Sequence, residues 1–142
     1  MFILDEVDFT QMQDFPLGEL WYFLPVGYLL TVLIETPILI LGLSRKVPFG
    51  ERLFCGFWLT ACTYPIVVLT LPSVFFDAPR WQYLAVAETF APVAECFLFW
   101  FVFKDRFTPA ELVRCFASIS IANIASFGVG EVLNHFQWFG LF

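Results

Sequence analysis

Four stretches of the chain are apolar for long enough to cross a bilayer, and short polar segments separate them. A spanning helix needs about 20 mostly apolar residues. Residues 17–43, 51–74, 81–103 and 109–132 meet that length, flanked by an acidic segment at 1–16 and an aromatic tail at 133–142. The links, 44–50, 75–80 and 104–108, are short enough to force neighbouring helices to run antiparallel. The pattern therefore predicts an all-α integral membrane protein, a single transmembrane domain folded as a four-span antiparallel helical bundle.

The start of the fourth span is marked by Thr108-Pro109-Ala110-Glu111, a capping box with Pro at the first helical position. Inside that span every fourth residue is small, through Ser118, Ala122, Ser126 and Gly130. Such a stripe predicts close helix packing.

Composition agrees. Hydrophobic residues make up 60% of the 142, aromatics 20% and charged residues 14%, with 20 Phe. Mean hydropathy is +0.80. A small soluble domain has too much surface to hide that much apolar material. A soluble globule, a disordered tail and a nucleic-acid binder are all excluded as leading classes, and the net charge of −6 gives no electrostatic reason to bind nucleic acid. The lipid bilayer is the partner that composition demands.

Lys and Arg give the orientation. All seven basic residues except Arg80 lie in or beside the first and third links, at Arg45, Lys46, Arg52, Lys104, Arg106 and Arg114. By the positive-inside rule that side is cytoplasmic, so both termini are expected to be extracytoplasmic. The acidic N-terminal segment lacks the basic region of a cleavable signal. Trp21, Trp81, Trp100 and Trp138 sit near span ends, where indole rings favour the headgroup level.

A shift of sixty positions superposes Trp21 on Trp81, Glu35 on Glu95, Lys46 on Arg106, Glu51 on Glu111 and Cys55 on Cys115. These matches suggest a duplicated helical hairpin, with its pseudo-axis along the membrane normal.

The informative chemistry is carboxylate inside the spans. Glu35, Glu88 and Glu95 each lie well within an apolar run. A charge at bilayer centre costs roughly 2.5–3.5 kcal/mol on insertion scales, so such residues point to function by default. With a rise of about 1.5 Å per residue, Glu35 and Glu95 fall at similar depth, and Glu88 lies two turns away on the face of Glu95. Pro37 and Pro92 leave the carbonyls of Leu33 and Glu88 without their helical donors. Oxygen-rich surroundings of this kind suit a hard cation or a proton relay.

Asn123 and Tyr64, with Thr60 and Thr63, lie at depths from which they could complete an ion- or proton-binding set. Thr36 and Thr89 point off the glutamate faces and are weaker candidates. Arg114 is the candidate for a structural ion pair with Glu95. Glu35 and Glu88 have no basic partner at their depth, so burial favours their neutral form unless a cation is bound. Three readings of the glutamates stay open: structural pairing, ion or proton handling, and contact with a partner chain or cofactor. Cys55, Cys62, Cys96 and Cys115 read as small buried hydrophobes, and lone His135 as an interfacial polar residue. No phosphate loop, nucleophilic triad or Cys/His metal spacing is present, and no metal or cofactor is specified.

The resulting expectation is a small polytopic membrane protein, not an enzyme. It binds or conducts a cation or proton through Glu35, Glu88 and Glu95, as a homo-oligomer or with other membrane subunits. The alternative is a non-catalytic accessory subunit of a larger membrane complex.

Overall fold

The structure is a computed structural model that describes residues 17–75 and 77–136, with the side chains of 17–23, Arg80 and Asn134 left aside. The acidic 1–16 segment, the Trp21 side chain and Trp138 with the end of the aromatic tail therefore lie outside the described residues. Four long helices account for nearly all of the rest. They are α1 (Leu17–Gly42), α2 (Phe49–Val74), α3 (Arg80–Phe103) and α4 (Pro109–His135). All four are long and apolar enough to cross a membrane. At 26 residues, α1 is about 39 Å long, more than the roughly 30 Å hydrocarbon layer.

Prolines shape the helices without ending them. Pro65 and Pro72 bracket a π-helical turn at Ile66–Thr70 in α2, where the Leu71 N–H reaches the Ile66 carbonyl. That bond takes the donor Val67 would use in an α-helix, and its π-helical donor would be residue 72, a proline. The Tyr83 hydroxyl from α3 supplies the missing donor, 3.2 Å from the Val67 oxygen. The capping box at α4 forms as its sequence predicts: the Thr108 N–H donates to Glu111 Oε2 at 2.8 Å, and the Glu111 N–H to Thr108 Oγ1 at 3.4 Å.

The helices pack in a ring, α1 to α2 to α3 to α4 and back to α1. Each of α1 and α3 touches both α2 and α4, so α1 and α3 face each other across the ring. Backbones come close where a side chain is missing. A Cβ on Gly56 would stand 2.3 Å from Thr36 Oγ1 and 3.0 Å from Thr36 Cα. A Cβ on Gly42 would stand 2.7 Å from the Cβ of Ser118. The small-residue stripe of α4 thus faces α1, but not over its whole length: a Cβ on Gly130 would meet nothing within 4 Å.

The interior has two levels. Near the 44–48 and 104–108 links it is apolar, built on Leu39, Leu43, Val47, Cys55, Leu59, Phe99, Phe103, Cys115 and Ile119. Phe99, Phe103 and Phe107 form an aromatic group there. Lys46–Glu111 (2.8 Å) and Arg106–Glu51 (2.6 Å) close that end with ion pairs between the first and second halves of the chain. One level deeper the buried residues turn polar: Glu35, Thr36, Thr60, Thr63, Glu95 and Asn123. Large apolar side chains such as Leu33, Leu41, Phe54, Phe97, Phe101 and Ile124 point outward instead. Water would penalise that inverted arrangement, whereas a hydrocarbon solvent favours it. Exposed Trp81 and Trp100 sit near opposite ends of α3, with the Lys104 ammonium 5.0 Å from the Trp100 ring centre.

Candidate functional site

Glu35 on α1 and Glu95 on α3 are almost completely enclosed, at 1% and 2% exposure. Every one of their four carboxyl oxygens meets a side-chain donor. Thr60 Oγ1 lies 2.8 Å from Glu35 Oε2, and Ser126 Oγ 2.7 Å from Glu35 Oε1. Thr63 Oγ1 lies 2.8 Å from Glu95 Oε1, and Asn123 Nδ2 2.8 Å from Glu95 Oε2. The helices on one diagonal supply the carboxyls, and those on the other supply the donors.

The local reason is helical spacing. Thr60 and Thr63 are three apart on α2, as are Asn123 and Ser126 on α4, so each pair shares a face about one turn tall. α2 gives one donor to each glutamate, and so does α4. The close approach at Gly56 and Thr36 brings α2 within reach of Glu35. The two carboxyls lie within electrostatic range of each other.

The donors also bond to their own helices. Thr60 Oγ1 is 3.0 Å from the Gly56 carbonyl, Thr63 Oγ1 is 3.2 Å from that of Leu59, and Ser126 Oγ is 2.9 Å from that of Asn123. A hydroxyl has one proton and can also accept. Each of these three can give its proton to an ionised carboxylate. Each can instead give it to its helix carbonyl while accepting one from a protonated carboxyl. Asn123 differs, because its amide carries two protons and serves both Glu95 Oε2 and the Ile119 carbonyl at 3.1 Å. A proton on Glu95 therefore belongs on Oε1, facing Thr63, whereas Glu35 can carry one on either oxygen.

The set expected from the sequence is brought together in part. Glu35, Glu95 and Asn123 meet. Glu88 does not join them: it is half-buried beside Glu131 of α4, in a separate cavity between α3 and α4. Tyr64 is also elsewhere, edge-on to Tyr28 at 6.2 Å between ring centres and packed over Gly27. The expected ion pair between Glu95 and Arg114 does not form. The Arg114 Nε donates to the Gly42 carbonyl at 3.1 Å, one of the oxygens the end of α1 leaves without a helical donor. Its level is fixed by the contact of Gly42 with Ser118, one turn further along α4. Arg52 serves the same helix end through the Ile40 carbonyl at 2.9 Å, and ties it to the following link through the Val47 carbonyl at 2.7 Å.

Ser126, read from sequence only as a packing residue, is a direct partner of Glu35. The signal that could have found it is its i, i+3 relation to Asn123, matching that of Thr60 and Thr63. Thr36, a weaker candidate by sequence, is buried against Gly56, and its hydroxyl has no hydrogen-bond partner. The four cysteines are free thiols, with Cys55 and Cys115 buried. No group of three or more metal-ligating His, Cys, Asp or Glu occurs among the described residues.

Fold and site together describe an integral membrane protein, by the length and composition of its helices, with a carboxyl pair enclosed at its centre. No family model, curated protein or solved structure shows significant similarity to the chain.

Proposed function

We propose that the protein handles a proton at the Glu35–Glu95 pair, within a four-span antiparallel bundle whose termini are both extracytoplasmic. One observation carries this reading: the cage is fully hydrogen-bonded whether a carboxyl is ionised or protonated. A group that only held helices together would need one such state. Here the hydroxyls of Thr60, Thr63 and Ser126 reverse direction, so a proton can come or go with no heavy atom displaced. No Lys, Arg or His side chain bonds either carboxyl among the described residues, so none fixes them as carboxylates.

The antiparallel arrangement is supported by paired contacts running in opposite senses, Gly27 with Tyr64 and Thr36 with Gly56. The duplicated hairpin is supported by burial. Glu35 and Glu95, Leu39 and Phe99, Leu43 and Phe103, Cys55 and Cys115, Leu59 and Ile119, and Thr63 and Asn123 are sixty apart, and all are buried. The ion pairs are reciprocal, Lys46 with Glu111 and Arg106 with Glu51, as an exchange of halves requires. The orientation rests on the basic residues at the closed end. In this reading the protein works as a homo-oligomer or with other membrane subunits.

The test is proton flux in liposomes carrying the purified protein. In Glu35→Gln and Glu95→Gln, the new amide places a donor and an acceptor where a protonated carboxyl would. Both variants are expected to fold normally and lose flux. Wild-type flux in both would overturn the proposal. The near-total enclosure of the pair also supports a second reading, the accessory subunit, in which the cage is an assembly clamp. That reading predicts no flux in the wild type and a complex that the Gln variants leave intact.

A further inference from the structure

Between α3 and α4 the surface opens into a cavity of about 420 Å3 lined by Glu88, Thr89, Pro92, Val93, Cys96 and Ser120. Its wall carries a carboxyl group, two hydroxyls and a thiol. Pro92 also leaves the Glu88 carbonyl without its helical donor. The Thr89 hydroxyl already donates to the Ala85 carbonyl at 2.7 Å and the Cys96 thiol to that of Phe116, so the Glu88 carboxyl is the group that hydrocarbon cannot solvate and water can, and the volume accommodates several molecules.

The cavity has a direction. Glu88 lies two turns before Glu95 on α3, about 10 Å nearer the start of that helix. Glu131, near the end of α4, lies within electrostatic range of Glu88. At the inner end, Cys96 Sγ donates to the Phe116 carbonyl at 3.8 Å and lies beside the Ser120 hydroxyl. Cys96 follows Glu95 directly in the chain, and its sulfur lies within electrostatic range of that carboxyl. The cavity thus ends at the residue next to Glu95, whose own carboxyl is enclosed. Sixty positions earlier Glu88 is matched by Tyr28, which packs on Tyr64 and donates to the Phe57 carbonyl at 2.9 Å.

We propose that this cavity is a water-filled access route and that Glu88 is the group through which Glu95 exchanges its proton. The proposal rests on the proton-handling reading of the Glu35–Glu95 pair. Glu88, protonated from the aqueous side, passes its proton to a water in the cavity as the water chain gives one to the Glu95 carboxylate. The waters are unchanged, Glu95 gains an O–H bond, and Glu88 is left as a carboxylate ready for the next proton.

Two measurements on the full-length protein in liposomes test this. In the first, a Cys62→Ala variant is treated with a cationic, membrane-impermeant methanethiosulfonate, and modified cysteines are mapped by mass spectrometry. Cys55 and Cys115 are buried, so modification is expected at Cys96. Labelling of Cys96 by a lipid-soluble maleimide but not by the cationic reagent would mean a lipid-filled cavity and overturn the route. In the second, Glu88→Gln is expected to lower proton flux about a hundredfold, the lower end of what loss of a positioned proton-transfer group costs. Glu88→Asp should restore most of it, and modification of Cys96 should lower it. Flux lost in Glu95→Gln but unchanged in Glu88→Gln would overturn the route and leave the carboxyl pair standing. Unchanged flux in Glu95→Gln alone would overturn the route, and unchanged flux in both Glu35→Gln and Glu95→Gln would overturn the underlying reading with it.

Discussion

The α1–α2 pair and the α3–α4 pair each contribute a buried glutamate to the centre, yet they treat the space beside it in opposite ways. Between α1 and α2, Gly56 lets the backbone of Thr36 approach, and Tyr28 and Tyr64 occupy the next turns. Between α3 and α4, the matching stretch holds Pro92 and half-buried Glu88, and a cavity remains. Two residue choices make the difference: a tyrosine or a glutamate sixty apart, and a glycine where the helices would otherwise be held off. A carboxyl pair tightly packed on the α1–α2 side and flanked by a cavity on the α3–α4 side is the arrangement that the proposed proton exchange needs.

The sharpest way to break that comparison is to pry open the closed side. Gly56→Ala places a methyl group 2.8 Å from the Thr36 Cβ and against its backbone. It should cost about 3 kcal/mol, because neither helix can give without parting Thr60 from Glu35. Gly130→Ala is the control. Its methyl meets nothing within 4 Å, so the helix should gain about 0.5–1 kcal/mol. Thermal unfolding in mild detergent reads both, and equal shifts would mean that α1 and α2 are not closely packed.

A second pair of variants separates the two kinds of glutamate. Glu95→Leu removes the acceptor from Thr63 and Asn123, which keep their own helix carbonyls, so the loss should be about 2 kcal/mol. Glu88→Leu removes a half-buried carboxyl outside the cage and should change stability by about 0.5 kcal/mol or less. A larger loss for Glu88→Leu would show that Glu88 belongs to the structural core after all.

The smallest effects are expected at the closed end. Lys46–Glu111 and Arg106–Glu51 are surface ion pairs at matched positions, and such pairs contribute little. They should not be equal, however. Glu111 also accepts from the Thr108 N–H and hydroxyl, at 2.8 and 2.9 Å. Glu111→Gln should therefore lower the unfolding temperature more than Glu51→Gln, and the Glu51→Gln effect should shrink further in high salt.

Much of this molecule is legible in its sequence alone, and the reason is the solvent. In hydrocarbon every backbone donor must be satisfied within its own segment, so a run of about 20 apolar residues leaves a helix as its outcome. The four helices follow from that rule, the capping box at Thr108 and Glu111 from the unpaired N–H groups of a helix start, and attention to glutamates inside spans from the cost of a charge in hydrocarbon. The level match of Glu35 and Glu95 follows from a constant rise per residue. What periodicity does not contain is rotation about each helix axis and the choice of neighbour. Only packing decided that Ser126 and Asn123 share the cage with Thr60 and Thr63, that Tyr64 turns to Tyr28, that Glu88 stands apart, and that Arg114 caps α1 at Gly42 instead of pairing with Glu95. Those outcomes depend on close approaches set by Gly42, Gly56 and Ser118, where a contact of a few ångströms selects which face looks inward. Depth in the membrane is a one-dimensional property that sequence encodes directly, whereas a site shared by four helices exists only once their faces have been chosen.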